Sequence, residues 1–279
     1  MIRARLLLDD GTIAVADVRC HDAPAEPAGE EAAPTVEVNV PLAGVYVRTV
    51  RRPGSAAAPL RTIGDPGRAL VFGRDEPYRV SHPVGGDDRS LVIALRRAPG
   101  GFDPSSPERP VRASVTIAAR RLAAALAGGQ VDALAGAEVA LAIIRSIGME
   151  PDSGSAARPG DQRMAAAIRL EIGARLGERL TLPALGRSVG LSGWKLARRF
   201  RLAAGTSIHR YRTALRVQAA LERIETGERD LTALALDLGF ADHSHLSNVL
   251  RREAGRPPSA FRRPPTAAEL GALRTILQA

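Results

Sequence analysis

Residues 189–200 read Val-Gly-Leu-Ser-Gly-Trp-Lys-Leu-Ala-Arg-Arg-Phe, and residues 238–252 read Leu-Gly-Phe-Ala-Asp-His-Ser-His-Leu-Ser-Asn-Val-Leu-Arg-Arg. Aligned with their flanks, the two stretches are copies of one unit. Thr181, Leu182, Ala184 and Leu185 match Asp230, Leu231, Ala233 and Leu234 at an offset of 49, whereas Ser192, Leu196, Phe200, Gly205, Tyr211 and Arg212 match Asp242, Leu246, Leu250, Gly255, Phe261 and Arg262 at an offset of 50. Self-similarity at a fixed period marks a repeated supersecondary unit, and the one-residue slip falls where a turn absorbs it.

Each copy holds the parts of a helix-turn-helix in order. Thr181 and Asp230 are placed to cap a first helix, Gly190 and Gly239 free the turn, and Ser192 and Asp242 cap a second helix. Gly205 and Gly255 stand where the second helices should stop. Pro183 falls in the first turn of its helix, where no amide hydrogen is needed.

Helical periodicity then sorts the second helices into faces. In the first copy Leu196, Phe200 and Ala203 share the inward stripe and Trp194, Lys195, Ala197, Arg198 and Arg201 lie off it. Arginine can donate two hydrogen bonds to a guanine edge and an indole can pack on thymine methyls or sugar, which makes Arg198 and Trp194 candidates for base reading in a major groove. The alternatives are a core tryptophan and a merely solvated arginine. In the second copy Leu246 and Leu250 point inward, and the outer stripe is Ser244, Ser247, Asn248 and Arg251, with His243 beside it. Asn248 suits adenine and Arg251 suits phosphate, so this surface is expected to position more than it discriminates. His243 and His245 follow each other too closely to suggest a metal site without a carboxylate or cysteine partner, and read as polar DNA-side or surface residues.

Between the copies, Ser207 to Thr226 places Ile208, Tyr211, Leu215 and Ala219 on one side of a helix. Twenty residues at about 1.5 Å each give roughly 30 Å, near the separation of about 34 Å between successive major-groove faces of B-DNA. That match favours duplex DNA over RNA.

Charge follows the same division. Residues 1–160 carry 19 basic and 19 acidic side chains, and residues 161–279 carry 20 and 11, so the whole formal excess of +9 lies C-terminally. A basic domain attached to a neutral one suits a polyanion binder with a separate sensing or assembly module; a solvated basic surface is the plainer alternative. At 279 residues with 45% hydrophobic composition the chain fits two globular domains. No apolar run approaches a membrane span or a signal peptide, which predicts a cytosolic protein. Cys20 is the single cysteine, so neither an internal disulfide nor a cysteine-built zinc site is expected.

From about residue 36 to 95, short apolar stretches (36–40, 44–50, 69–72, 91–95) alternate with Pro-Gly and Gly-Asp turns and predict β-strands. Residues 21–35, rich in Pro, Ala and Glu, predict a loop. Ser114 to Ile147, broken at Gly128-Gly129, predicts a helical hairpin with Leu134, Leu141, Ile144 and Ile147 on one face, either covering the β domain or forming a subunit interface. The divisions expected are a β domain over 1–112, the hairpin over 113–148, a linker over 149–162, the DNA-binding domain over 163–265 and a C-terminal tail over 266–279.

The stretch 238–252, followed by Gly-Arg-Pro-Pro-Ser-Ala-Phe-Arg-Arg, resembles the signature of AraC/XylS-type regulators, and 189–200 agrees. The resemblance covers about residues 163–263. Two residues depart from it: Asn248 stands where the family often has arginine, and Leu250 where it usually has phenylalanine. The resemblance implies an α+β multidomain architecture, with a cupin-like N-terminal β domain and a C-terminal all-α domain holding two helix-turn-helix motifs. It further implies regulation of bacterial promoters, more often activation, in contact with RNA polymerase. Residues 193–204 and 243–254 would then read two adjacent major-groove segments of promoter DNA. A small-molecule effector would bind the N-terminal domain, and a homodimer is the assembly expected if the hairpin is an interface.

An enzyme reading needs clustered histidine and carboxylate ligands in the β domain. Only His21 and His82 occur there, without paired spacing, and no phosphate loop or nucleophile elbow is present. No enzymatic activity, cofactor or metal is therefore expected. An RNA-binding or assembly module without promoter activity is the third reading. Tyr46, Arg48, Tyr78, Arg79 and His82 are the polar and aromatic candidates for an effector pocket.

Overall fold

The computed structural model describes residues 2–21, 29–51, 59–85, 87–97, 102, 106–149 and 157–278. The chain forms two compact units, Met1–Glu150 with Arg263–Ala279, and Pro151–Arg262.

Among its described residues the first unit holds ten strands: β1 (Ile2–Asp9), β2 (Ile13–Cys20), β3 (Glu31–Ala32), β4 (Val36–Ala43), β5 (Tyr46–Val50), β6 (Leu60–Gly64), β7 (Arg68–Phe72), β8 (Pro77–Ser81), β9 (Asp88–Leu95) and β10 (Glu108–Pro110). They pair antiparallel into a six-stranded sheet ordered β1-β2-β9-β4-β7-β10 and a four-stranded sheet ordered β3-β8-β5-β6. In the large sheet, Val38 and Val40 of β4 and Leu91, Ile93 and Leu95 of β9 alternate in sequence and are buried on a common core, the two-residue period of a sheet with one covered face. A second, smaller cluster of Tyr46, Leu70 and Phe72, joined by Tyr78 and Val80, brings together residues of both sheets.

Helices cover the large sheet. Helix α1 (Ala113–Ala127) buries Val115, Ala118, Ala119 and Leu122 against it, and α2 (Ala133–Met149) adds Ala140, Ile143, Ile144 and Ile147. Small alanines on α1 let the helix backbone approach the sheet closely. Gly128 and Gly129 lie at the break between the two helices, with Gly129 at φ +64°. The hairpin thus covers the β domain, but Leu134 is 73% exposed and the buried stripe of α2 instead starts at Ala137.

Three further differences from the sequence reading have physical causes. The first two strands, β1 and β2, form a hairpin at the edge of the large sheet; β1 faces solvent along most of its length, which leaves it no clear alternation to detect. The expected loop over 21–35 contains the two-residue strand β3, paired with β8, while residues 22–28 lie outside the described residues. The expected C-terminal tail is a helix, labelled α9 below (Ala267–Gln278), whose Leu270 and Leu277 enter the same core as α1 and α2. Arg263 and Glu269 form a two-pronged ion pair at 3.0 and 3.1 Å, and Arg121 donates to the Arg263 carbonyl at 3.0 Å. The end of the chain therefore belongs to the N-terminal unit, and the polypeptide crosses between the units twice.

Among its described residues the second unit is all helical: α3 (Pro159–Ala174), α4 (Leu182–Ser188), α5 (Gly193–Ala204), α6 (Ile208–Glu225), α7 (Leu231–Asp237), α8 (His243–Ala254) and a 3-10 turn over Pro258–Phe261, with α9 following in chain order. Helix α3 begins inside the segment read as a linker. Residues 151–156 of that segment lie outside the described residues.

Candidate nucleic-acid interface

Two helix-turn-helix units, α4–α5 and α7–α8, are each held by side-chain caps. The Thr181 hydroxyl accepts from the Ala184 amide at 3.3 Å and Ser192 from Lys195 at 3.4 Å. In the second unit Asp230 accepts from the Thr232 and Ala233 amides, both at 2.9 Å, and Asp242 from His245 at 2.8 Å. These caps satisfy amides that a helix start leaves unpaired. The turn glycines Gly190 and Gly239 adopt φ +68° and +74°, and Gly205 and Gly255 end α5 and α8 in the left-handed region, where a β-carbon would be strained.

The inward stripes are fully packed. Leu196 and Phe200 of α5 and Leu246 and Leu250 of α8 are all 0% exposed. Phe200 stacks at a tilt on Tyr211 of α6, 5.8 Å between ring centres. Leu250 occupies the core position at which the family usually has phenylalanine, and Val249 is buried beside it.

The outward stripe of α5 is solvent-facing. Trp194 is 70% exposed, which removes the core alternative for it, and Lys195, Arg198 and Arg201 are exposed as well. Ala197 is half-buried. One turn apart on the helix, the Arg198 guanidinium lies 5.9 Å from the Trp194 ring centre, a cation–π arrangement that keeps both groups on one patch. Leu202, 59% exposed, extends this stripe by another turn; an isolated leucine at that spacing carries no signal of its own in the sequence. Arg199 instead turns toward α3 and pairs with Asp161, so of the two adjacent arginines Arg198 is the one that faces out.

On α8, His243, Ser244, Asn248 and Arg251 are exposed and Ser247 is half-buried. Arg251 donates to the Asn248 side-chain oxygen at 3.5 Å, a long contact that leaves both groups accessible. His245 bonds within its own turn instead. Its Nδ1 accepts from the Ala241 amide at 3.3 Å and its ring meets Phe240 edge-on, 5.4 Å between centres. Together with the Asp242 cap it closes the turn from both sides.

The connecting helix α6 is buried on more than one face, since Val217, Gln218 and Ala220 are covered as well as Ile208, Tyr211 and Leu215, while Ala219 is only half-buried. A helix packed by neighbours on both sides loses the single apolar stripe that periodicity seeks. Its 18 residues span about 27 Å. Arg216 at its centre acts as a clamp, donating to the Leu176 carbonyl at 3.0 Å and the Gly239 carbonyl at 2.8 Å. Its guanidinium also lies 5.7 Å from the Phe240 ring centre. Burial, with Arg212 nearby, lowers the Arg216 pKa to about 10. Gly239 allows this approach: a β-carbon there would lie 2.1 Å from the Arg216 guanidinium and 2.6 Å from the Gly177 carbonyl. The turn of the second motif is thereby fixed to the segment following α3 through the rod between the motifs.

In the first unit, four of the effector candidates, Tyr46, Arg48, Tyr78 and His82, adjoin one another in a chain of contacts, and Arg79 stands apart. Arg79 is exposed. Arg48 is 0% exposed, pairs with Glu76 and lies 4.4 Å over the Phe72 ring, with Tyr78 near it. Tyr46, in the same cluster as Phe72 and Tyr78, adjoins His82, which lies beside Cys20 and Asp88. Sequence separation of 62 to 68 residues between Cys20 and its two neighbours hid that grouping.

The family described as a Helix-turn-helix domain matches residues 185–264. Regulatory protein SoxS of Salmonella typhimurium is 32% identical over 83 residues, which is 30% of this chain and 78% of SoxS. Among solved structures, the DNA-binding domain of AdpA in complex with a target DNA is 26% identical, with a TM-score of 0.33, over 35% of this chain and 88% of that one. ToxT of Vibrio cholerae is 8% identical with a TM-score of 0.36 over 90% of this chain and 98% of ToxT. Among the described residues no helix is long and apolar enough to cross a membrane. With both motifs, their spacing and the SoxS identity in agreement, the chain belongs to the AraC/XylS family of DNA-binding transcriptional regulators, which is not a family of enzymes.

Proposed function

We propose that the protein is a sequence-specific regulator of bacterial promoters, acting in the cytoplasm and reading two adjacent major-groove segments with residues 193–204 and 243–254. The observation that carries this reading is the division of α5 and α8 into a fully buried stripe and an exposed polar stripe, on helices whose ends are fixed by caps. An exposed tryptophan beside an arginine suits a groove. Trp194 and Arg198 supply base contacts, and Lys195 and Arg201 phosphate contacts. Ala197 is small enough to let the helix approach. On α8, Asn248 reads a base, while His243, Ser244, Ser247 and Arg251 position the helix on the backbone.

The protein acts as an activator through RNA polymerase, and the N-terminal unit answers a small-molecule effector. Support for an effector site comes from Arg48, two of whose buried nitrogens have no hydrogen-bond partner among the described residues; an anionic group would satisfy them. Selection of the full chain on a randomised duplex library tests the reading. It predicts one enriched motif with two conserved segments and preference for that duplex over single-stranded RNA of the same sequence. No enrichment, or equal binding of RNA, contradicts it. Transcription from a promoter carrying the selected site, with and without the protein, decides the sign.

A further inference from the structure

Cys20 is the last residue of β2 and Asp88 the first of β9, and the two are direct partners across the antiparallel pair. His82 follows the end of β8 in the other sheet. Their potential ligand atoms all lie within 4.8 Å of one another, and the residues are 6%, 7% and 6% exposed respectively. His82 Nε2 lies 2.6 Å from Asp88 Oδ2, yet neither atom is in hydrogen-bond geometry with any partner among the described residues. An imidazole and a carboxylate buried in contact but out of hydrogen-bond alignment leave each atom short of a partner that a cation bound beside them would supply.

The surroundings hold this point still. Gly44, at φ +77°, abuts Asp88 so closely that a β-carbon there would lie 2.5 Å from the Asp88 β-carbon. The Tyr46 ring, itself 4% exposed, forms a wall 6.3 Å from the His82 ring. The nearby Arg89 forms a bidentate pair with Asp17 at 2.9 and 3.0 Å.

We propose that Cys20, His82 and Asp88 bind one divalent transition-metal ion of the zinc class. Sulfur, imidazole nitrogen and carboxylate oxygen are the donors zinc takes, at about 2.3 Å to sulfur and about 2.0–2.2 Å to nitrogen and oxygen. One ion at those distances reaches all three atoms once side-chain rotation opens the 2.6 Å His82–Asp88 contact to about 3.3 Å. A thiolate–imidazole pair disfavours calcium and magnesium, which take oxygen. Binding releases the Cys20 thiol proton to solvent, and the fourth tetrahedral position is left for water or a small donor. The ion ties β2 and β9 of the large sheet to the end of β8 in the small one.

The test is titration of the untagged, chelator-stripped full chain with cobalt(II), a spectroscopic substitute for zinc. Because Cys20 is the only cysteine, a thiolate-to-cobalt charge-transfer band in the near ultraviolet identifies its sulfur as a ligand in the wild-type chain alone. The expected result is one cobalt per chain with that band, displaced by zinc. Cys20→Ser abolishes the band, and His82→Gln and Asp88→Asn each weaken binding tenfold or more. A wild-type chain that binds no cobalt, or binds it without the band, overturns the proposal, and so does unchanged affinity in folded His82→Gln. In that case His82 and Asp88 form only a buried ion pair.

Discussion

Trp194 is an indole held out in water by a helix whose opposite side is fully packed, so that its exposed cation–π contact with Arg198 adds little to the stability of the free protein. Replacing it with alanine is therefore expected to leave the unfolding midpoint within about 0.5 kcal/mol of wild type, while weakening binding to the selected duplex; urea titration and fluorescence anisotropy check the two halves. Arg198→Ala is expected to cost about 1–3 kcal/mol on the cognate site and to relax preference at one base position. Arg251→Ala is expected to weaken all duplexes alike and to lower the slope of log K against log salt by about one. Anisotropy on the cognate site and on single-base variants, across a salt series, separates the two. Indistinguishable variants would contradict the division between reading and positioning residues. His245 shows what spacing alone misses, because its contacts are made to the Ala241 amide and the Phe240 ring inside its own turn.

At the scale of elements, the rod α6 matters through the clamp at its centre. Arg216→Ala removes charge-assisted hydrogen bonds to the Leu176 and Gly239 carbonyls, and we expect it to lower unfolding stability by about 2–3 kcal/mol and to weaken DNA binding although Arg216 touches no base. Chemical denaturation followed by circular dichroism of the helices checks the loss. The helix-turn-helix pair was legible because its determinants are local: the caps, turn glycines and stripes of each copy fall between Thr181 and Gly205 or between Asp230 and Gly255. The clamp was not, since Arg216 reaches segments 40 residues earlier and 23 later. Nor was the Cys20, His82 and Asp88 cluster, whose members come from three strand ends. The role of α9 was hidden for a related reason: Leu270 and Leu277 show a short apolar pattern, but the partners that bury them are more than a hundred residues upstream.

At the scale of the whole molecule, the chain leaves the N-terminal unit, forms the DNA-binding unit and returns, so that α9 completes the core of α1 and α2. Leu270→Ala is accordingly expected to destabilise the N-terminal unit by about 2–5 kcal/mol, the range for a large-to-small change at a buried site. Residue-resolved hydrogen exchange should show the loss in α1 and the large sheet rather than in α4–α8. Formal charge divides along nearly the same line, with the basic excess beyond residue 160, which concentrates polyanion attraction on the unit that carries α5 and α8. Hydroxyl-radical footprinting of the full chain on its selected duplex tests most directly whether these two helices read consecutive turns of one DNA face. The account predicts two protected patches about 10 base pairs apart on the same side, one lost in a Trp194→Ala, Arg198→Ala double variant and the other in Ser244→Ala, Asn248→Ala. A single patch, or two on opposite sides of the duplex, would contradict it.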